Sequence, residues 1–236
     1  MPEAQRVAVI TGASQGIGAG LVAAYRERGW AVVANARSLK PAGDPAVLAV
    51  EGDIREPETA DRIVGEALGQ FGQIDTLIND AGVYLSRPFT DYTRDDYEAV
   101  VGINLTGFFI LTQLVVAAML ARSSGHIVNM AATIAERPSS RVPAVLAALT
   151  KGGVAAATRS LAIEYARRGI RVNAVSPGII QTPLHAPDTY ASSADLVPVG
   201  RVGQVSDVVD GVLFLESSPY ITGEVLHIDG GQIAGH

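Results

Sequence analysis

Short apolar runs punctuate the chain at residues 7–10, 31–34, 47–50, 76–78, 126–129, 170–175 and 225–228. Each has strand length, and most are separated by stretches whose apolar residues recur at helical spacing. This alternation predicts an α/β fold: a doubly wound parallel sheet of about seven strands with helices on both faces. Pro57 stands where a first-turn proline belongs, opening a helix that buries Ile63, Val64, Ala67, Leu68 and Phe71. Thr93 with Asp96 forms a capping pair for a long helix over 93–121, and Gly169 stops another over 142–168. Between Arg37 and Val47 a Pro/Gly-containing stretch replaces the expected crossover helix. No repeat or linker divides residues 1–236, so a single domain is predicted.

The first strand and the turn and helix after it carry the strongest chemical signal. Val7 to Ile10 runs without a polar break, as a central strand covered on both faces requires. Gly12, Gly16 and Gly18 then supply a tight turn, a bare backbone that a pyrophosphate can approach, and close packing of the next helix. That helix, with Ile17, Leu21, Ala24 and Tyr25 on its apolar face, points free N–H groups and a positive dipole end at the phosphates. Strand, glycine turn and helix together predict a Rossmann-type dinucleotide-binding domain.

Composition narrows the field. A net charge of -6, with 18 Lys and Arg scattered along the chain, leaves no basic stripe for nucleic acid. The chain has no cysteine, which removes disulfides and thiolate chemistry. Its 4 histidines lack metal-ligand spacing, so no metal is expected. Phe108 to Leu120 is strongly apolar but too short to span a bilayer, and no signal peptide is visible. No membrane association and a cytoplasmic location are the expectations.

Several further motifs fall in order along this frame. They are TGASQGIG (Thr11 to Gly18, with Ser14, Gln15 and Ile17), Asp53-Ile54, Asn79-Asp80-Ala81-Gly82 and Asn104. Ser176-Pro177-Gly178 with Ile180 and Thr182 comes next, and His227 to Gly231 closes the series. With these elements the chain resembles the short-chain dehydrogenase/reductase family over essentially its whole length. The resemblance implies that the glycine turn grips the cofactor, that Asp53 and Ile54 meet the adenine, and that Asn79, Ala81 and Gly82 also bind the cofactor. Asn104 then steers the catalytic lysine, here Lys151, through a water, Lys151 bonds the nicotinamide ribose hydroxyls, and Pro177, Gly178, Ile180 and Thr182 hold the nicotinamide carboxamide. In the family an acidic residue at the end of the second strand selects NAD. Here that position is Ala36, followed by Arg37 and Ser38. A guanidinium pairs bidentately with a 2′-phosphate, so NADP(H) is expected in preference to NAD(H).

The family's proton chemistry rests on Tyr-x-x-x-Lys and an upstream serine, and here the pattern breaks. The only lysines are Lys40 and Lys151, which places Ala147 at the tyrosine position and Ala132 at the serine position. A methyl group neither protonates nor hydrogen-bonds a developing alkoxide. The substitutes in reach are His185, Tyr84, Thr133 beside the lost serine, Lys151 itself if burial lowers its pKa, and a water. Three readings stay open. The first is an NADP-dependent oxidoreductase interconverting a small-molecule carbonyl and alcohol with an atypical proton donor. The others are a dinucleotide-binding module without turnover and a non-redox isomerase or lyase. The long helices 93–121 and 142–168 carry more apolar surface than one sheet covers, and the family pairs such helices across a two-fold axis. A homodimer or homotetramer is therefore expected.

Overall fold

The computed structural model describes residues 5–39, 43–183 and 194–235. Seven parallel strands form one sheet: β1 (Val7–Thr11), β2 (Ala31–Ala36), β3 (Val47–Glu51), β4 (Thr76–Asn79), β5 (Gly125–Met130), β6 (Ile170–Pro177) and β7 (Val225–Ile228). Their order is β3-β2-β1-β4-β5-β6-β7, with the reversal of winding beside β1. In an open α/β sheet a ligand crevice forms at such a reversal, beyond the carboxyl ends of the strands.

Strict alternation along β1 explains the two layers. Val7 and Val9 join a core with Ala60, Ile63, Leu111, Val115 and Met119, under α2 (Pro57–Phe71) and α4 (Phe108–Arg122). Ala8 and Ile10 point the other way, into a core with Leu21, Tyr25, Val208 and Val212. That face is covered by α1 (Gly16–Glu27) and α6 (Val205–Ser217). Two further helices complete the first layer, α3 (Arg94–Val101) and α5 (Val145–Tyr165), the latter packed on β5 and β6. Helices on both faces of a wholly parallel sheet match the expected architecture.

Local expectations meet the structure with a few adjustments. Thr93 caps α3 as expected: its Oγ1 accepts from the Asp96 N–H at 3.1 Å while Asp96 accepts from the Thr93 N–H at 2.9 Å. The described part of the β2–β3 connection contains no helix. The helix expected over 93–121 is interrupted by a π-helical turn at Gly102–Gly107, a feature often found beside functional sites. The helix expected from 142 starts at Val145 instead. Pro143 disfavours helical backbone at Val142, which pairs with Ser139 in a short bridge. By length and composition the helical run Arg94–Arg122 is also apolar enough to cross a membrane, contrary to the sequence expectation. In this fold Leu111, Val115 and Met119 of that run are fully buried core, facing the sheet.

Candidate active site

The carboxyl ends of β1, β4, β5 and β6 frame two adjoining cavities. The first, about 350 Å3, is walled by Gly12, Ser14, Gln15, Gly16, Ile17, Arg37, Ser38, Asp53, Ile54, Ala81, Gly82 and Thr182. Most residues expected to grip a dinucleotide therefore share one wall. Glycine is required here by contact as well as by conformation. Gly12 and Gly16 have φ of 69° and 57°, and a Cβ on Gly18 would stand 2.4 Å from the Gly12 carbonyl oxygen. The α1 N-terminus is thus bare backbone facing a cleft, the form that an anionic phosphate needs. At the far end, Asp53 is held by Arg55 at 2.7 Å, which keeps its carboxyl below the usual range. Arg37 has no carboxylate partner within ion-pair distance among the described residues.

The second cavity, about 510 Å3, continues from the first and shares Ile17, Asp80, Gly82, Val83 and Thr182 with it. Its wall includes Tyr84, Ala132, Thr133, Ala147, Lys151, Pro177, Gly178 and Ile180. Lys151 lies on α5; its Nζ donates to the Met130 carbonyl at 2.7 Å and stands 3.2 Å from where a Cβ on Gly82, a residue shared by the two cavities, would be, which puts the ammonium at their junction. Burial pulls the Lys151 pKa down to about 8, partly offset by the charge of Asp80. Burial likewise pushes the Asp80 carboxyl up to about 7, against the opposing pull of Lys151 and of a bond from the Gly18 N–H. Asp80 Oδ2 lies against the glycine turn, 2.8 Å from where a Cβ on Gly18 would stand. The site therefore holds an acid–base pair whose members both titrate near neutrality.

Three residues expected at the site act mainly as braces. Asn79 is buried and its Nδ2 donates to Thr112 at 3.0 Å and Asn129 at 2.9 Å, so it locks β4 to β5 behind the wall. Asn104, in the π-helical turn, accepts from the Val83 N–H at 2.9 Å and donates to the Val83 carbonyl at 3.0 Å and Thr150 at 3.1 Å. A space of about 10 Å3 between Asn104 and Lys151 is near the lower limit for one water. The Thr133 hydroxyl, in the wall of the larger cavity, is within 3.3 Å of both the Ser176 carbonyl and Asp229. The C-terminal turn thus supplies it with an acceptor that the sequence does not place beside it.

Tyr84 does line the cavity, with its phenol pKa raised by burial. His185 lies outside the described residues. Sequence reasoning missed the partnership of Asp80 with Lys151. Its only signal was a carboxylate in a motif position that resembles an asparagine.

Comparison with known proteins places this geometry. The profile described as enoyl-(acyl carrier protein) reductase matches residues 12–232, from the glycine turn to the C-terminal turn. The chain belongs to the short-chain dehydrogenase/reductase family. It is 36% identical to cis-4-hydroxycyclohexanecarboxylate dehydrogenase of Sinomonas cyclohexanicum over 98% of both chains. Among solved structures, 3-ketoacyl-(acyl carrier protein) reductase of Brucella melitensis complexed with NADH superposes with a TM-score of 0.90 at 32% identity. That match covers 98% of this chain and 100% of the other. ElxO with NADP bound superposes at 0.91 with 27% identity, covering 98% of this chain and 99% of that one. Short-chain dehydrogenase/reductase relatives thus hold either nicotinamide dinucleotide.

Proposed function

We propose that this protein is an NADP(H)-dependent oxidoreductase that interconverts a small-molecule carbonyl and an alcohol, with Lys151 as its proton donor. One observation carries the reading. At the junction of the two cavities stands a lysine with a pKa of about 8, while the neighbouring wall positions 132 and 147 are alanines. The bound nicotinamide supplies the hydride in reduction and accepts it in oxidation. With the cofactor bound, the new C–H bond at the carbonyl carbon would come from its hydride, and an N–H bond of the Lys151 ammonium would break to protonate the oxygen. The amine left behind recovers its proton from solvent, with the Asp80 carboxylate favouring the charged form. An acid with a pKa near the working pH suits this task.

The preference for NADP(H) is supported by Arg37 and Ser38 on the wall of the first cavity, following Ala36, where no carboxylate would repel a 2′-phosphate. Titration with NADPH and NADH tests it: at least about tenfold tighter binding of NADPH is expected from a bidentate guanidinium–phosphate pair, lost in Arg37→Ala. Equal affinity for the two would refute the preference. NADPH consumption against a panel of ketones and aldehydes tests turnover. Loss in Lys151→Ala and a gain in Ala147→Tyr are expected. Tight NADPH binding with no consumption by either form would favour a binding module instead.

Association through α4 and α5 forms part of the proposal. Phe109 is 62% exposed and Ile163 is 82% exposed on these helices, more apolar surface than a free helix face usually presents to water. Sedimentation should show a homodimer or homotetramer, and a monomer at micromolar concentration would count against it.

A further inference from the structure

The larger cavity contains a second cation that the chemistry above does not use. Arg137 follows the turn after β5 and forms part of the cavity wall with Ile134, Pro138 and Leu196. Its Nη1 donates to the Gln232 carbonyl at 2.7 Å, which tethers one arm of the guanidinium. Among the described residues no carboxylate pairs with it. Glu136, its chain neighbour, is held by His227 at 2.9 Å. Asp229 accepts from the Gly231 and Ile233 N–H groups and from Thr133. By contrast Arg26, Arg55, Arg87, Arg122 and Arg201 each meet a carboxylate at 3.0 Å or less.

Arg137 is only partly solvated, and a guanidinium in that position gains most from an anion that fits its remaining fork of donors. The wall between Arg137 and Lys151 is mainly apolar, with Val83, Met130, Ile134, Val142 and Ala147. At the junction the Lys151 charge already faces that of Asp80, whereas Arg137 meets no carboxylate among the described residues, so a negative end belongs at the Arg137 end. We infer that Arg137 is a specificity residue that binds the carboxylate of the substrate. The substrate class is then an apolar oxo or hydroxy acid, with its reacting carbon toward Lys151 and its carboxylate toward Arg137. One fixed cation matches a monoanion, whereas a phosphate dianion would leave charge uncompensated. The inference rests on the reading of this cavity as the substrate site.

Calorimetry with two matched pairs tests it: 4-oxocyclohexanecarboxylate against its methyl ester, and 4-acetylbenzoate against its methyl ester, each with and without NADPH. At least one acid should bind about tenfold or more tighter than its ester, the scale of one charge-assisted pair. Arg137→Gln should erase that ratio and Arg137→Lys should keep part of it. A wild-type protein that binds acid and ester equally, or binds none of the four, overturns the inference. So does an acid preference that survives in Arg137→Gln. NADPH affinity is measured separately, so a failure of the dinucleotide reading leaves the acid-to-ester ratio as an independent test of Arg137.

Discussion

The two ends of the sheet treat a buried carboxylate in opposite ways. At the amino ends of the strands, Glu216 of α6 accepts from Tyr25 Oη at 2.8 Å, Thr76 Oγ1 at 2.9 Å and His126 Nδ1 at 3.0 Å. Burial alone would raise the Glu216 pKa, yet these donors outweigh it and the group sits below the usual carboxylate range. His126 in turn faces Asn173 Nδ2 at 3.2 Å, consistent with a neutral ring whose Nδ1 donates to Glu216. At the carboxyl ends, Asp80 has a Gly18 N–H and the charge of Lys151, and burial wins. Nearby, the buried Ser176 hydroxyl has no partner among the described residues. One end satisfies its polar groups and ties β4, β5, α1 and α6 together. The other leaves them partly unsatisfied and therefore reactive. Saturated hydrogen bonding stabilises, whereas incomplete satisfaction keeps a pKa within reach of neutral pH.

Substitutions at the two ends should separate stability from turnover. Lys151→Ala is expected to lower carbonyl reduction by roughly a hundred- to ten-thousand-fold, the scale of a lost general acid, with little change in a urea denaturation midpoint. Glu216→Ala should do the reverse. It strands three buried donors and should cost about 3 kcal/mol or more of unfolding free energy, while activity per folded molecule is kept. If both substitutions damaged the same property, the division between the two ends would fail.

Smaller effects sharpen the contrast through pH. Reduction that needs a protonated Lys151 should decline as pH rises through about 8. The Asp80 charge raises that pKa, so Asp80→Asn should move the descending limb to lower pH. A limb that stays in place would separate Asp80 from the chemistry. At the opposite end burial depresses the His126 pKa, so the unfolded chain takes up a proton first. Its contribution is present above the ordinary imidazole value of 6.5 and is lost as pH falls from there toward the lower folded value. The stability loss on acidification from pH 7 to 5 should accordingly be smaller in His126→Asn, as thermal melts can check.

Much of this could be read along the chain. The strands were legible because parallel strands buried on both faces need uninterrupted apolar runs, as Val7 to Ile10 and Ala31 to Ala34 show. The glycine turn was legible because part of its demand is local: Gly12 and Gly16 take positive φ, and Gly18 packs on the Gly12 carbonyl. What escaped depends on distance in sequence. Asp80 and Lys151 perturb each other across 71 positions, and Thr133 finds Asp229 across 96. No periodicity encodes which way a threonine hydroxyl turns. The hub at Glu216, joined to Tyr25 across 191 positions, was equally invisible, since each member reads alone as an ordinary helix or strand residue.

The turn at Asp229–Gln232 has a consequence for the order in which the molecule is finished. It braces Thr133 through Asp229, receives Arg137 on the Gln232 carbonyl, and accepts from the Ile179 N–H through Gln232 Oε1 at 3.2 Å. The pairing of the seven strands needs none of these bonds, so the sheet and its glycine turn can assemble before the larger cavity has its last wall. Shortening the sequence at Gly230 should spare the sheet and blunt the pocket.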